Sequence, residues 1–367
     1  MIYLDNGATT FYKPTSVYRA VNKAMRDCAN PGRGGHKPAM RAAETVFNCR
    51  ERAGKFFHCL PEHVVFTNNC THGLNIALHS LVKPGDRVTI SGFEHNAVVR
   101  PLHGIGARIT VAGRKLFDKE DTLDDFENAL KMGTDAAVFT HVSNVFGYVL
   151  PIMEMAELCR QYGVPFVVDA AQSAGTLPIN FAKLGAKFVA MPGHKGLLGP
   201  MGTGILLCRD LTKPLLYGGT GSLSKSYKMP DDLPERLEAG TVNVPGIAGL
   251  EAGIAFLQKT GIRSIHEKER KQANFCIEGL QKIGMKVYCG ENQSGTVSFV
   301  PNGDCEDFAQ RLADHGIAVR GGLHCAPLAH ESAGTLDSGT VRVSFGLDAS
   351  KEQVEQLLQT VRKIANS

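Results

Sequence analysis

Between residues 63 and 209 the chain repeats one rhythm: a short, almost wholly apolar run, then a stretch with helical spacing. The runs are HVVFT (63–67), RVTIS (87–91), RITVA (108–112), AAVFTHV (136–142), PFVVDAA (165–171), KFVAMP (187–192) and GTGILLCR (202–209). Strands that alternate with helices build a mainly parallel sheet covered on both faces. Near-continuous apolar character is what a strand buried on both sides requires. The intervening segments have ordinary crossover lengths. Helices are predicted over 71–82, after Asn68-Asn69, and over 152–162, before Gly163.

After about residue 245 the texture changes. Helical patterns over 246–259 and 263–283 lead to apolar runs at 295–301, 317–321 and 340–345, and Ser350 and Gln353 are spaced as a capping box for a last helix. With 367 residues and 43% hydrophobic content the chain exceeds what one core ordinarily holds. The expected division is a large α/β domain over 14–245 and a smaller α+β domain over 1–13 and 246–367. Ligands of such proteins bind outside the carboxyl ends of parallel strands, often between domains.

A net charge of +4 with 21% charged residues gives no field that argues for nucleic acid or a membrane surface, so a small substrate is expected. The start of the chain, Met-Ile-Tyr-Leu-Asp-Asn-Gly, lacks the pattern of a signal peptide, and no apolar run reaches spanning length. The expected location is the cytoplasm. Ten scattered cysteines include no C-x-x-C, so neither a disulfide framework nor a metal site is expected. The useful question is which cysteine reacts.

Asp169 ends a run that reads as a buried central strand, where an unpaired carboxylate is costly. A protonated pyridine nitrogen is one partner that would satisfy it, and a helix cap is the ordinary alternative. Gln172, one turn later, could reach the phenolic oxygen of such a ring. Lys195 sits in the glycine-rich turn GHKGLLGPMGTG (193–204) between two strands. A desolvated lysine near other positive charge becomes a neutral nucleophile suited to Schiff-base chemistry, whereas most loop lysines are simply solvated. The separation of Asp169 and Lys195 by one strand unit favours the chemical reading of both.

Nine ordered segments carry a resemblance over essentially the whole chain: YLDNGATT (3–10), NNCTHGLNIA (68–77), FEHNAVVRP (93–101), HVSNVFGYVLPI (141–152), DAAQSAG (169–175), GHKGLLGPMGTG (193–204), LEAGTVNVPGIAGLEAGI (237–254), VRGGLHCAP (319–327) and VRVSFG (341–346). The sequence resembles class V, fold-type I pyridoxal-phosphate enzymes, and among them the cysteine desulfurases and selenocysteine lyases. The resemblance implies a seven-stranded large domain binding pyridoxal 5'-phosphate. It implies that Lys195 forms the Schiff base, that Asp169 pairs with the ring nitrogen and Gln172 with the phenolate, and that His95 stacks on the ring and moves protons. Thr71 and His194 would bind the phosphate, aided by the free N–H groups of a helix start. Pro192 stands where relatives usually place a Ser or Thr. Thr241 resembles a residue that reaches the phosphate of a neighbouring subunit, which implies a homodimer.

Cys325 lies in Arg320-Gly-Gly-Leu-His-Cys-Ala-Pro, a compact loop in the resembling group. The resemblance implies that its thiolate takes sulfur from L-cysteine as a persulfide, leaving L-alanine, with an acceptor protein removing the persulfide later. His324 and Arg320 are the cationic groups expected to favour the thiolate. Arg342 would clamp the substrate carboxylate, with Arg320 and Asn144 also on the substrate side. Selenocysteine lyase is the alternative with the same site, as are other class V lyases and aminotransferases, which need no thiolate. A remote alternative is a non-catalytic nucleotide-binding protein using GGTGSLSK (218–225), but that segment lacks P-loop spacing.

Overall fold

The computed structural model describes residues 1–32 and 34–366. All seven apolar runs become strands of one sheet, in the order Val64–Thr67, Gly204–Cys208, Phe188–Pro192, Phe166–Asp169, Ala136–Thr140, Arg87–Ser91 and Arg108–Ala112. Gly204–Cys208 runs antiparallel to both its neighbours, and the other pairs are parallel. Five of the seven strands are buried at every position, as their unbroken apolar character requires. Thr67, Ser91, Thr140, Asp169 and Pro192 therefore finish at one edge of the sheet. That edge holds the site.

The crossover helices start where the sequence provides caps. Asn69 accepts from His72 N at 2.8 Å and begins the helix Cys70–Leu81. Ser350 and Gln353 form both halves of the expected capping box on Lys351–Ala365.

A second, antiparallel sheet has the order Arg320–Gly322, Thr340–Ser344, Thr296–Val300 and Lys286–Tyr288. Val297, Phe299, Val341 and Val343 pack with Ala273, Leu357 and Val361 into its core. The single strand expected over 317–321 is split. Ile317–Ala318 pairs in parallel with Ile2–Tyr3, and only Arg320–Gly322 joins the four-stranded sheet. The chain thus changes sheets at Val319, and the amino terminus is tied to the carboxyl-terminal third.

Helix Val244–Thr260 puts Ile247, Leu250 and Ile254 into the core of the large sheet and packs on helices Thr15–Asp27 and Lys37–Phe57. A Cβ at Gly253 would lie 2.3 Å from Leu197 O. Glycine there lets the helix rest directly on the loop that carries Lys195. Among the described residues no helix is long and apolar enough to cross a membrane, and all ten cysteines are free.

Candidate active site

At the carboxyl edge of the sheet lies a cleft of about 540 Å³, and it brings together Thr71, His95, Asn144, Asp169, Gln172, His194 and Lys195. Asp169 is 3% exposed. Its Oδ1 accepts from Ala171 N at 2.8 Å and from the Cys70 thiol at 3.4 Å, while Oδ2 has no partner among the described residues. No helix begins after Asp169, so the expected cap does not form; a turn N–H takes one oxygen and leaves the other open. Cys70 was not expected to matter. Burial and the adjacent carboxylate push its thiol far up, so it stays protonated and donates to Asp169.

The Lys195 ammonium donates no hydrogen bond to any described residue. Its backbone is fixed instead: Thr10 Oγ1 donates to Lys195 O at 2.9 Å, and a Cβ at Gly196 would meet Ala174 O at 2.4 Å. Burial lowers the pKa of its amine, and Arg342 lowers it further against the opposing pull of Asp169. An amine and a carboxylate oxygen, both without partners among the described residues, face one cleft.

His95 is the N-cap of helix Asn96–Ile105, its Nδ1 accepting from Ala97 N at 3.0 Å. That bond assigns the ring proton to Nε2. Burial depresses the pKa of His95, so the ring is neutral. At the other end of the cleft, Thr71 lies in the first turn of Cys70–Leu81, where free N–H groups and the helix dipole favour an anion. His194 contacts Thr9 Oγ1 at 3.0 Å, and burial with the neighbouring Lys195 takes its pKa down to about 4. Gln172 donates to Gly7 O at 2.9 Å, which occupies one of its two amide hydrogens.

Cys325, Arg320, Arg342 and Thr241 stand outside the lining of this cleft. Cys325 is exposed, on a loop tied to the cleft at two points: Asn96 N donates to Cys325 O at 2.8 Å and Asn144 Nδ2 to His324 O at 2.8 Å. His324 and Cys325 both have left-handed φ angles, 51° and 56°. Arg342 is 3% exposed, directly behind Asn144, whose carbonyl it meets at 3.0 Å. Thr241 lines a separate surface cavity with Arg50 and Glu238.

One expectation is corrected. His324 cannot supply positive charge to Cys325, because burial and the nearby Arg342 take its pKa to about 2 and Nε2 is engaged by Thr340. Its part is structural. Sequence reasoning also missed Asp5, which receives Arg342 at 2.8 Å and Arg320 at 2.9 Å, and Glu94, fully buried beside His95. Both lie inside quoted segments, YLDNGATT and FEHNAVVRP, and a carboxylate in an otherwise apolar run is the signal that could have found them.

A mainly parallel seven-stranded sheet with a lysine loop and a buried acid at its carboxyl edge is the architecture of fold-type I pyridoxal-phosphate enzymes. Comparison with known proteins agrees. The family model for aminotransferase class-V matches residues 2–357, and the chain belongs to that family. A probable cysteine desulfurase of Pyrococcus abyssi is 35% identical, over 100% of this chain and 95% of the relative. One from Methanothermobacter thermautotrophicus is 33% identical over 99% and 94%. The solved apo structure of a cysteine desulfurase from Thermococcus onnurineus superposes with a TM-score of 0.92 at 34% identity, over 100% of this chain and 94% of that one.

Proposed function

We propose that this chain is a pyridoxal-phosphate-dependent cysteine desulfurase that converts L-cysteine to L-alanine and keeps the sulfur as a persulfide on Cys325. The observation that carries the reading is the pair of unsatisfied groups in one cleft: the Lys195 amine and the free oxygen of Asp169. They fit the aldehyde and the ring nitrogen of the cofactor, and the helix start at Thr71 with His194 fits its phosphate. Relatives named cysteine desulfurase at 35% and 33% identity support the substrate.

When bound, the cofactor supplies an electron sink that makes the α-proton of an attached amino acid acidic. The protein does the rest. Asp169 would hold a proton on the ring nitrogen, and the neutral imidazole of His95 would lie beside the cofactor ring. Arg342, held by Asp5, receives the substrate carboxylate through its guanidinium fork. Lys195 would hold the cofactor aldehyde, and its lowered pKa would suit it to take the α-proton and return a proton to the product carbon. The Cys325 thiolate attacks the substrate sulfur, so that the Cβ–S bond breaks as the Cys325 Sγ–S bond forms. The products are L-alanine and a cysteine persulfide, and no external oxidant is required. Asn144 and Asn96 hold the loop that brings Cys325 to the cleft. A second copy of the chain completes the site if Thr241, exposed on the surface, reaches the partner's phosphate end. An acceptor protein then removes the terminal sulfur.

Borohydride reduction of the cofactor-loaded protein, followed by peptide mapping, tests the reading together with alanine release. The expected result is a stable adduct on Lys195, with alanine formed from L-cysteine and the extra sulfur on Cys325. A protein that stays colourless with added pyridoxal phosphate, or an adduct on another lysine, refutes it. Running L-selenocysteine in parallel separates the desulfurase from the selenocysteine lyase.

A further inference from the structure

Residues Asp5–Lys13 run as one segment from the second sheet to the loop of Lys195. At its start Asp5 holds Arg342 at 2.8 Å and Arg320 at 2.9 Å. Gly7 N donates to Ser344 Oγ at 2.7 Å, and a Cβ at Gly7 would lie 3.2 Å from Arg342 Cζ, so the backbone passes close over the guanidinium. Gln172 Nε2 donates to Gly7 O at 2.9 Å. At the far end the partners belong to the lysine loop. His194 O accepts from Thr10 N at 3.1 Å and from Lys13 Nζ at 3.2 Å, and Thr9 Oγ1 lies 3.0 Å from His194 Nδ1. Thr10, 7% exposed, donates through Oγ1 to Lys195 O at 2.9 Å.

The segment is also bonded to itself. Ala8 N donates to Asp5 O at 3.0 Å, Tyr3 Oη lies 3.2 Å from Asp5 O and 3.0 Å from Thr9 O, and Lys13 Nζ closes back on Thr10 O at 2.7 Å. Burial lowers the pKa of Lys13 to about 8, and no carboxylate opposes the shift. Its ammonium is committed to backbone carbonyls, one of them in the lysine loop.

Lys195 follows the strand Phe188–Pro192 of the first sheet, and Arg342 lies in Thr340–Ser344 of the second. One small amino acid has to meet both, its amine at the cofactor on Lys195 and its carboxylate at Arg342. A misplacement of about 1 Å can cost ~10²-fold in rate. Asn144 O also receives Arg342, at 3.0 Å, but the Asn144 amide is directed to His324 O and not to the lysine loop.

We propose that Thr10 and Lys13 are positioning residues for Lys195, and that through Asp5 and Gly7 the same segment fixes the lysine against the Arg342 clamp. The roles of Lys195 and Arg342 come from the desulfurase reading; the anchoring of the loop does not depend on it.

Hydrogen exchange of the full-length protein, read by mass spectrometry with and without pyridoxal phosphate, tests the anchoring. Leu198 N donates to Lys195 O and Gly199 N to Gly193 O, so peptides spanning 196–199 report on the loop. Thr10→Val, which keeps the shape and removes the hydroxyl, and Lys13→Met should each speed exchange there by about threefold or more, and Thr10→Ser should restore it. Thr10→Val should also weaken pyridoxal phosphate, titrated by its visible spectrum, by about tenfold. The link to the clamp is read from kcat/KM for L-cysteine in Thr10→Val, Ser344→Ala and the two combined. A strap released at one end has little left to lose at the other, so the combined loss should be smaller than the product of the single losses by about threefold or more. Unchanged exchange over 196–199 in both Thr10→Val and Lys13→Met overturns the anchoring, and losses that simply multiply overturn the link. If exchange rises in a protein that binds no cofactor, the anchoring stands, and the desulfurase reading falls together with the link.

Discussion

Asp5 holds Arg342 through Nη2 at 2.8 Å, and this bond joins the first residues of the chain to an inner strand of the second sheet. Arg320 takes the other oxygen of the same carboxylate at 2.9 Å. Arg342 is buried, so removing its counter-charge leaves an uncompensated cation. Asp5→Asn should cost about 3–5 kcal/mol of stability. Where the protein remains folded, it should raise KM for L-cysteine by roughly tenfold with a smaller change in kcat, since a mispositioned fork binds ground state and transition state equally poorly. Denaturant titration and steady-state kinetics measure both. An unchanged KM would mean that Arg342 does not touch the substrate.

Cys325 is exposed and its side chain supports nothing around it. Cys325→Ala should therefore leave the unfolding midpoint within about 2 °C of wild type. The visible spectrum of the bound cofactor should persist. Alanine formation from L-cysteine should fall at least ~10³-fold, because among the described residues no other thiol beside the cleft is exposed. Turnover of selenocysteine should fall less, as selenium leaves more readily. Full cysteine turnover in this variant would point to a simple lyase.

His95 accepts from Ala97 N through Nδ1, so its Nε2 hydrogen faces the cleft. His95→Gln keeps a donor but loses the flat aromatic face and the ability to relay a proton, and kcat should drop by about 10²-fold. Burial lowers the pKa of this histidine, so the ring charges only below the usual range and any acid limb it imposes should lie below about pH 6.5. A pH profile of kcat for wild type and variant checks this. A limb near or above neutrality would assign the titration to another group.

The sheet was legible because burial on both faces leaves strands no freedom but to be apolar throughout, and all seven runs fell where the pattern put them. The lysine and acid of the cleft were legible because a charge at the end of such a run needs a chemical reason. What stayed hidden depends on long-range pairing. Asp5 and Arg342 are 337 residues apart, and nothing local marks two charges that meet only when the termini do. The split of 317–321 between two sheets is likewise set by Ile2–Tyr3, a strand of two residues that no periodicity can reveal. His324 looked cationic because sequence shows its neighbours and not its burial.

Glu94 gives the sharpest pH prediction. It is fully buried next to His95, its Oε1 accepting from Thr140 N at 2.7 Å and from Ser91 Oγ, while Oε2 has no partner. Burial raises its pKa from 4.5 to about 8; the hydrogen bonds from Ser91 and Thr140 oppose the rise, and nearby Asp169 adds to it. A carboxyl whose folded pKa lies above its unfolded value favours the native state fully below pH 4.5 and loses that contribution as pH rises through about 8. The loss can reach roughly 4 kcal/mol. Glu269 titrates in the same sense, so wild type should lose stability between pH 5 and 9 through both groups. Glu94→Gln removes one of them. Its unfolding free energy should fall less steeply across that window. A variant whose slope matches wild type would mean that Glu94 stays ionised, its charge offset by the backbone donor at Thr140.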